Sequence, residues 1–127
     1  MRSAPIAVAL LASLAACSND RTLCPQDGPR PAISATLYDR AADTIIVGGN
    51  VRGEIRDGAY RDSLYVMGRN ADWEPVGYVA GVGRPGVYVV TVERDGFRPA
   101  ERRNVAVPDG GTCGVLTVYV RIDMDPE

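Results

Sequence analysis

The chain has 127 residues, with 14 Arg against 16 Asp and Glu, neither Lys nor His, and a formal net charge of −2. Without His there can be no Ser–His or Cys–His nucleophile and no imidazole metal site, and neither a metal nor another cofactor is expected. Basic residues form no patch, which argues against nucleic-acid binding.

The N-terminus reads as an address. Arg2 gives a positive start, and Ile6 to Leu14 form an uncharged apolar run of nine residues. That length suits the core of a signal peptide and is too short to span a bilayer, which takes about 20 residues. The stretch closes on Leu14-Ala15-Ala16-Cys17. This resembles the lipobox of bacterial lipoproteins: a branched apolar residue, two small ones, then cysteine. The resemblance implies cleavage before Cys17, lipidation of its thiol and acylation of its new amine. Two or three acyl chains on one residue give stable anchoring to a membrane. Ser18 follows, where an aspartate would hold such a protein at the inner membrane of enteric bacteria, so the outer membrane is the favoured destination. Residues 1–16 are thus read as signal peptide and 17–30 as a lipidated tether and lead-in loop.

Loss of the signal leaves 13 Arg against 16 acids and enough chain for one small domain. Two cysteines then remain, Cys24 and Cys113, and export to an oxidising compartment makes a disulfide between them the natural reading, with unpaired buried thiols as the alternative. Chain-entropy reasoning values so long a loop at roughly 4 to 5 kcal/mol, as an upper figure. Only six residues separate Cys17 from Cys24, a reach of at most roughly 23 Å. With that disulfide in place, the end of the domain holding residues 109–114 would lie close to the bilayer, and partners would meet the opposite end.

Strand signals dominate the remainder. Ile33, Ala35 and Leu37 alternate with Ser34, Thr36 and Tyr38, and a turn follows over 39–43. Thr44-Ile45-Ile46-Val47 is a β-branched run, broken by Gly48-Gly49-Asn50. Val51 to Arg56 is the next strand, and Asp57-Gly58 turns it into a strand over 59–66. Residues 68–85 are the least regular segment, expected as a long loop flanking a strand near 76–82. Gly86 to Arg94 is the strongest strand, and Asp95-Gly96-Phe97 turns it back. Val105-Ala106-Val107 is a short strand, and Val115 to Ile122 alternates before an acidic tail. No amphipathic helix stands out. Short strands with turn signals every 8 to 12 residues predict an all-β fold, an antiparallel β-sandwich of about seven strands over 31–123, with 124–127 as tail.

This order resembles a carboxypeptidase regulatory-like domain, a sandwich of the transthyretin type. The resemblance rests on Ala35-Thr36-Leu37-Tyr38-Asp39, on the hairpin Asp57-Gly58-Ala59-Tyr60, and on Arg84-Pro85-Gly86-Val87-Tyr88-Val89-Val90-Thr91-Val92 with Asp95-Gly96-Phe97 behind it. Thr44 to Gly49 departs from the family, in which small turns are usual there. The wider fold includes a hydroxyisourate hydrolase that depends on His residues and a Tyr-Arg-Gly-Ser ending. This chain has neither, so that activity is not expected.

Candidate chemistry is sparse. Ser34 and Ser63 have no imidazole to act as base. Asp123, Asp125 and Glu127 offer hard oxygens, but a solvated tail is favoured over a calcium site. Asp39, Asp43, Asp57 and Asp62 read as turn formers, and Arg98, Arg102 and Arg103, mixed with Glu101, as a solvated face. Trp73 is the sole tryptophan. With Tyr78 and Arg69 it offers a partner contact, although plugging one end of the core is the favoured role. The expected protein is therefore a non-catalytic lipoprotein module of the cell envelope, facing the periplasm or exterior and binding a protein or glycan. The alternative is a small-ligand carrier or enzyme on a transthyretin-like scaffold.

Overall fold

The computed structural model describes residues 29–127. Within them the chain is all-β, a sandwich of two sheets. The strands are β1 (Ile33–Asp39), β2 (Thr44–Ile45), β3 (Val51–Asp57), β4 (Tyr60–Ser63), β5 (Tyr65–Arg69), β6 (Pro75–Ala80), β7 (Gly86–Arg94), β8 (Ala100–Val107) and β9 (Val118–Met124). In the first sheet β1 pairs with β9 along one edge and with β2 and β6 along the other, and β5 lies outside β6. The second sheet has the order β4-β3-β7-β8. All pairs are antiparallel except β1 with β9, which run parallel from Ile33 opposite Val118 to Asp39 opposite Met124.

The alternation read in the sequence decides which face is buried. Ile33, Ala35 and Leu37 from β1, Val120 and Ile122 from β9, and Tyr88, Val90 and Val92 from β7 all point into one core. Val92 pairs with Gly53 and Val90 with Ile55, so the β3 positions facing inward are a glycine and an isoleucine. The glycine is there for space. A Cβ on Gly53 would stand 2.5 Å from Leu64 Cδ1 and 2.9 Å from the Thr91 carbonyl oxygen. Leu64 is where the chain leaves one sheet for the other, between β4 and β5, and its N–H bonds the Gly53 carbonyl at 2.8 Å. A single run over 59–66, expected as one strand, is thus two strands in two sheets, bent at the residue that fills the gap over Gly53.

Other differences have equally local causes. The Thr44–Val47 run forms only a two-residue strand, because Ile46 turns into the core with its N–H on the Leu37 carbonyl. β8 is longer than its apolar signal, since Glu101 to Asn104 are exposed edge positions. A register shift lies between Tyr88 and Val90, opposite Arg103 and Asn104, and Asn104 sits at φ +57°. Nor is the C-terminus a loose acidic tail. Met124 is fully buried, Arg98 N–H bonds the Asp125 carbonyl, Phe97 bridges to Pro126 and Glu127 N–H bonds the Gly96 carbonyl. The last residues close the gap between the sheets at that end.

The strand directions give the sandwich two distinct ends. At the inlet end, Ala32 N–H bonds the Gly81 carbonyl, Gly83 N–H bonds the Arg30 carbonyl, and Thr117 Oγ1 bonds the Pro31 carbonyl at 2.7 Å. The far end carries the turn after β1, the β5–β6 turn, the β7–β8 turn and the C-terminus. Nine-residue β7 runs the distance between them, about 26 Å at 3.3 Å per step.

Two sequence pieces that lie 27 positions apart meet at the inlet end. Arg84 Nη1 pairs with Asp57 Oδ2 at 3.2 Å, and its guanidinium lies 3.9 Å over the Tyr60 ring. The Tyr88 hydroxyl donates to the Arg84 carbonyl at 2.6 Å and stands 3.2 Å from Arg84 Nη1. Asp62 Oδ2 accepts from Gly81 N–H at 2.8 Å. Asp57 and Asp62, expected only as turn formers, therefore fasten loops on neighbouring strands. Asp39 does act as expected, its carboxylate accepting from the N–H groups of Ala41 and Ala42. Asp43 pairs instead with Arg121 at 2.8 Å.

Candidate functional site

Residues 68–75, expected to be irregular, form a tight hairpin between β5 and β6. Asn70 N–H bonds the Glu74 carbonyl, and Trp73 N–H bonds the Asn70 carbonyl, both at 3.0 Å. The Asn70 side-chain oxygen accepts from Asp72 N–H and Glu74 N–H, so one amide organises the whole turn. Arg69 Nη1 donates to the Trp73 carbonyl at 2.7 Å. The Asn-x-Asp spacing over 70–72 was the available sequence signal for this turn.

Trp73 occupies the left-handed position of the hairpin, at φ +61°. Glycine or asparagine is the usual resident there, and a bulky side chain in that conformation costs roughly 1 to 2 kcal/mol. Its side chain does not plug the core, as had been expected, but stands 77% exposed at the tip. A three-residue loop closed by two strands holds it outward, and the ring has no route back to the interior.

The three residues singled out from sequence thus divide. Arg69 and Trp73 belong to one turn, while Tyr78, only 3% exposed, is a core residue of β6 and is not available to a partner. Burial holds the Tyr78 hydroxyl above its ordinary pKa of 10.0, with the Arg94 and Arg69 guanidiniums acting in the opposite direction. Burial likewise raises Tyr60, with Asp62 and Tyr88 adding to it and Arg84 opposing. A raised folded value means that folding favours the protonated phenol. Stability from these groups is fully present below pH of about 10 and falls as pH rises from there through the folded values. Tyr78→Phe is expected to flatten that alkaline loss in urea titrations run between pH 8 and 11, whereas an unchanged slope would place the titration elsewhere.

The acids do not assemble into a metal centre. Asp123 is taken by Arg121 at 2.9 Å and Asp125 by Arg40 at 3.1 Å, and among the described residues no three ligating side chains gather to hold a metal ion. The Arg98–Arg103 stretch is also tied down. Arg103 pairs with Glu101 at 3.0 Å, and Arg102 Nη1 donates to the Arg121 carbonyl at 2.7 Å, bridging β8 to β9. A concavity of about 540 Å³ lies on the outer face of the second sheet, lined by Glu54, Thr91, Glu93 and Glu101 with Ser63 at its rim. Each of its carboxylates faces an arginine: Glu54 with Arg61, Glu93 with Arg52, Glu101 with Arg56 and Arg103. A ligand would have to displace those pairs, so this surface reads as a cross-strand ion-pair lattice.

Ser34 lies within β1 and Ser63 ends β4. Cys113 closes a short 3-10 turn, Gly111–Cys113, at the inlet end. Cys17 and Cys24 lie outside the described residues, and so does the expected disulfide. Among the described residues no helix is long and apolar enough to cross a membrane. No protein-family model and no curated protein matches this chain.

Proposed function

We propose that this chain is a non-catalytic, lipid-anchored module of the bacterial cell envelope, and that it meets a protein or glycan partner through the Trp73 hairpin. The anchor reading rests on the Leu14-Ala15-Ala16-Cys17 motif behind its apolar run. The placement in a carboxypeptidase regulatory-like family is supported by the meeting of Asp57, Tyr60, Arg84 and Tyr88, since its two signature pieces have a joint structural task here.

The observation that carries the binding reading is the strained, exposed tryptophan. A residue that costs stability where it stands, in a turn held by the Asn70 amide and its backbone bonds, points to a use outside the fold. The hairpin also projects from the far end, away from where a tether beginning at Cys17 joins the domain. Tryptophan is the side chain that most often dominates a binding surface.

Trp73→Asn separates the two roles. Asparagine accepts the left-handed backbone, so thermal unfolding is expected to show a stability gain of roughly 1 kcal/mol. Affinity for the partner, identified by photo-crosslinking in cells that acylate the chain at Cys17, is expected to drop by roughly 30-fold or more, as for an interface anchor. A crosslinked species formed equally by wild type and Trp73→Asn would defeat the proposal.

A further inference from the structure

Exposed apolar side chains gather at the inlet end. Tyr65 and Tyr119, 42% and 82% exposed, lie on one row across the outer face of the first sheet, with the buried Val79 and half-buried Ser34 between them. Val82 and Leu116, 45% and 50% exposed, project from the loops on either side of the incoming chain. Val82 follows the glycine whose carbonyl holds Ala32, while Leu116 precedes the threonine that holds Pro31.

Charge divides in the opposite sense. The far-end segments 39–50, 69–75, 93–98 and 123–127 carry nine carboxylates against four guanidiniums. The inlet segments 29–32, 57–60, 81–87 and 107–118 carry two of each, and one carboxylate there, Asp57, is paired with Arg84. An anionic membrane surface repels the first set and is indifferent to the second. The tether sets the distance. Twelve steps from residue 17 to residue 29 reach at most about 40 Å, and the end they lead to is the inlet.

We propose that the inlet end of the sandwich rests on the lipid surface, with Tyr119, Leu116 and Val82 seated at the level of the headgroups and upper acyl chains. This rests on the lipid anchor at Cys17 and adds a second contact to it. The domain is then not a bead swinging on its tether. Apolar side chains and an amphipathic tyrosine hold its long axis upright, with Trp73 presented about 26 Å farther out.

Trp73 is the only tryptophan, which makes the orientation directly measurable. The acylated protein is placed in phosphatidylethanolamine–phosphatidylglycerol vesicles containing brominated acyl chains, which quench indole fluorescence only at short range. Trp73 emission is expected to be unaffected. In a Trp73→Phe background, the tryptophan introduced by Leu116→Trp is expected to be quenched roughly twofold or more, with a blue shift, as for an interfacial side chain. Val82→Trp repeats the measurement on the other side of the inlet, so that failure of one variant to fold leaves the other to decide. If both introduced tryptophans escape quenching while the protein still floats with the vesicles, the proposal is overturned and the anchor stands. Quenching of Trp73 also overturns it. Protein that does not float at all overturns the anchor reading itself.

Discussion

Tyr88→Ala is expected to cost about 3 to 5 kcal/mol, among the largest single losses available in this domain. The ring is fully buried between the sheets, in edge contact with Tyr60 at 6.3 Å, so its removal leaves a cavity that two sheets cannot readily close. Its hydroxyl adds a separate contribution. The bond to the Arg84 carbonyl, four residues back, ties the start of β7 to the loop before it, in the manner of the tyrosine corners of other β-sandwiches. Tyr88→Phe keeps the packing and removes that bond, and is expected to cost about 1 to 3 kcal/mol because a part-buried carbonyl loses its donor. Urea unfolding of the three proteins measures both steps. A Phe variant as stable as wild type would mean that the hydroxyl merely fills space, and that Arg84 is held by Asp57 and Tyr60 alone.

Gly81→Val attacks the same end of the molecule from the backbone. Gly81 lies at φ +76°, where a β-branched residue is strained by roughly 1 to 3 kcal/mol. Its Cβ would also meet Ile55 Cδ1 at 2.8 Å and Ala32 Cβ at 3.0 Å. Overpacking adds about 1 to 3 kcal/mol more. Strain and crowding can be told apart. Gly81→Ala already carries the strain and both Cβ contacts, and adding Ile55→Val to it removes the nearer contact while leaving the strain. A double variant less destabilised than the sum of its two single substitutions places part of the loss in the Ile55 contact, and strict additivity removes that contact from the account. Since Gly81 also donates to Asp62 and accepts from Ala32, either substitution is expected to loosen the chain inlet first, visible as faster amide exchange at Ala32 and Gly83.

The two-sheet architecture was legible because its inward residues follow a period of two in sequence, most clearly in Tyr88, Val90 and Val92 and in Val120 and Ile122. What escaped the reading has no period. The split at Leu64 depends on a glycine eleven positions earlier in another strand, and nothing local to 59–66 announces it. The outer half of β8 is charged and exposed, its Glu101 paired with Arg56 on β3, so its strand character lies in the register and not in its hydrophobicity. The candidate site was half legible. A single tryptophan among polar residues drew attention to the segment, but its exposure follows from the Asn70 turn, whose geometry sets the φ of residue 73. Tyr78 was misplaced for a simpler reason. It lies five positions after Trp73, and all but Glu74 of these belong to β6, which carries the tyrosine inward.

The parallel pairing of β1 with β9 bears on how the chain must be made. Ile33 has no partner along that edge until Val118 and the strand behind it exist, so the first strand of the domain waits for the last. Contacts of such sequence separation are closed late and slowly, on the millisecond-to-second scale typical of sandwiches. A nascent chain lacking β9 leaves one long edge of β1 bare and the core open above Leu37. Under the export reading proposed above, such a delay is useful. On that reading the polypeptide would stay threadable during translocation, and the domain would close only once its final strand had followed the rest.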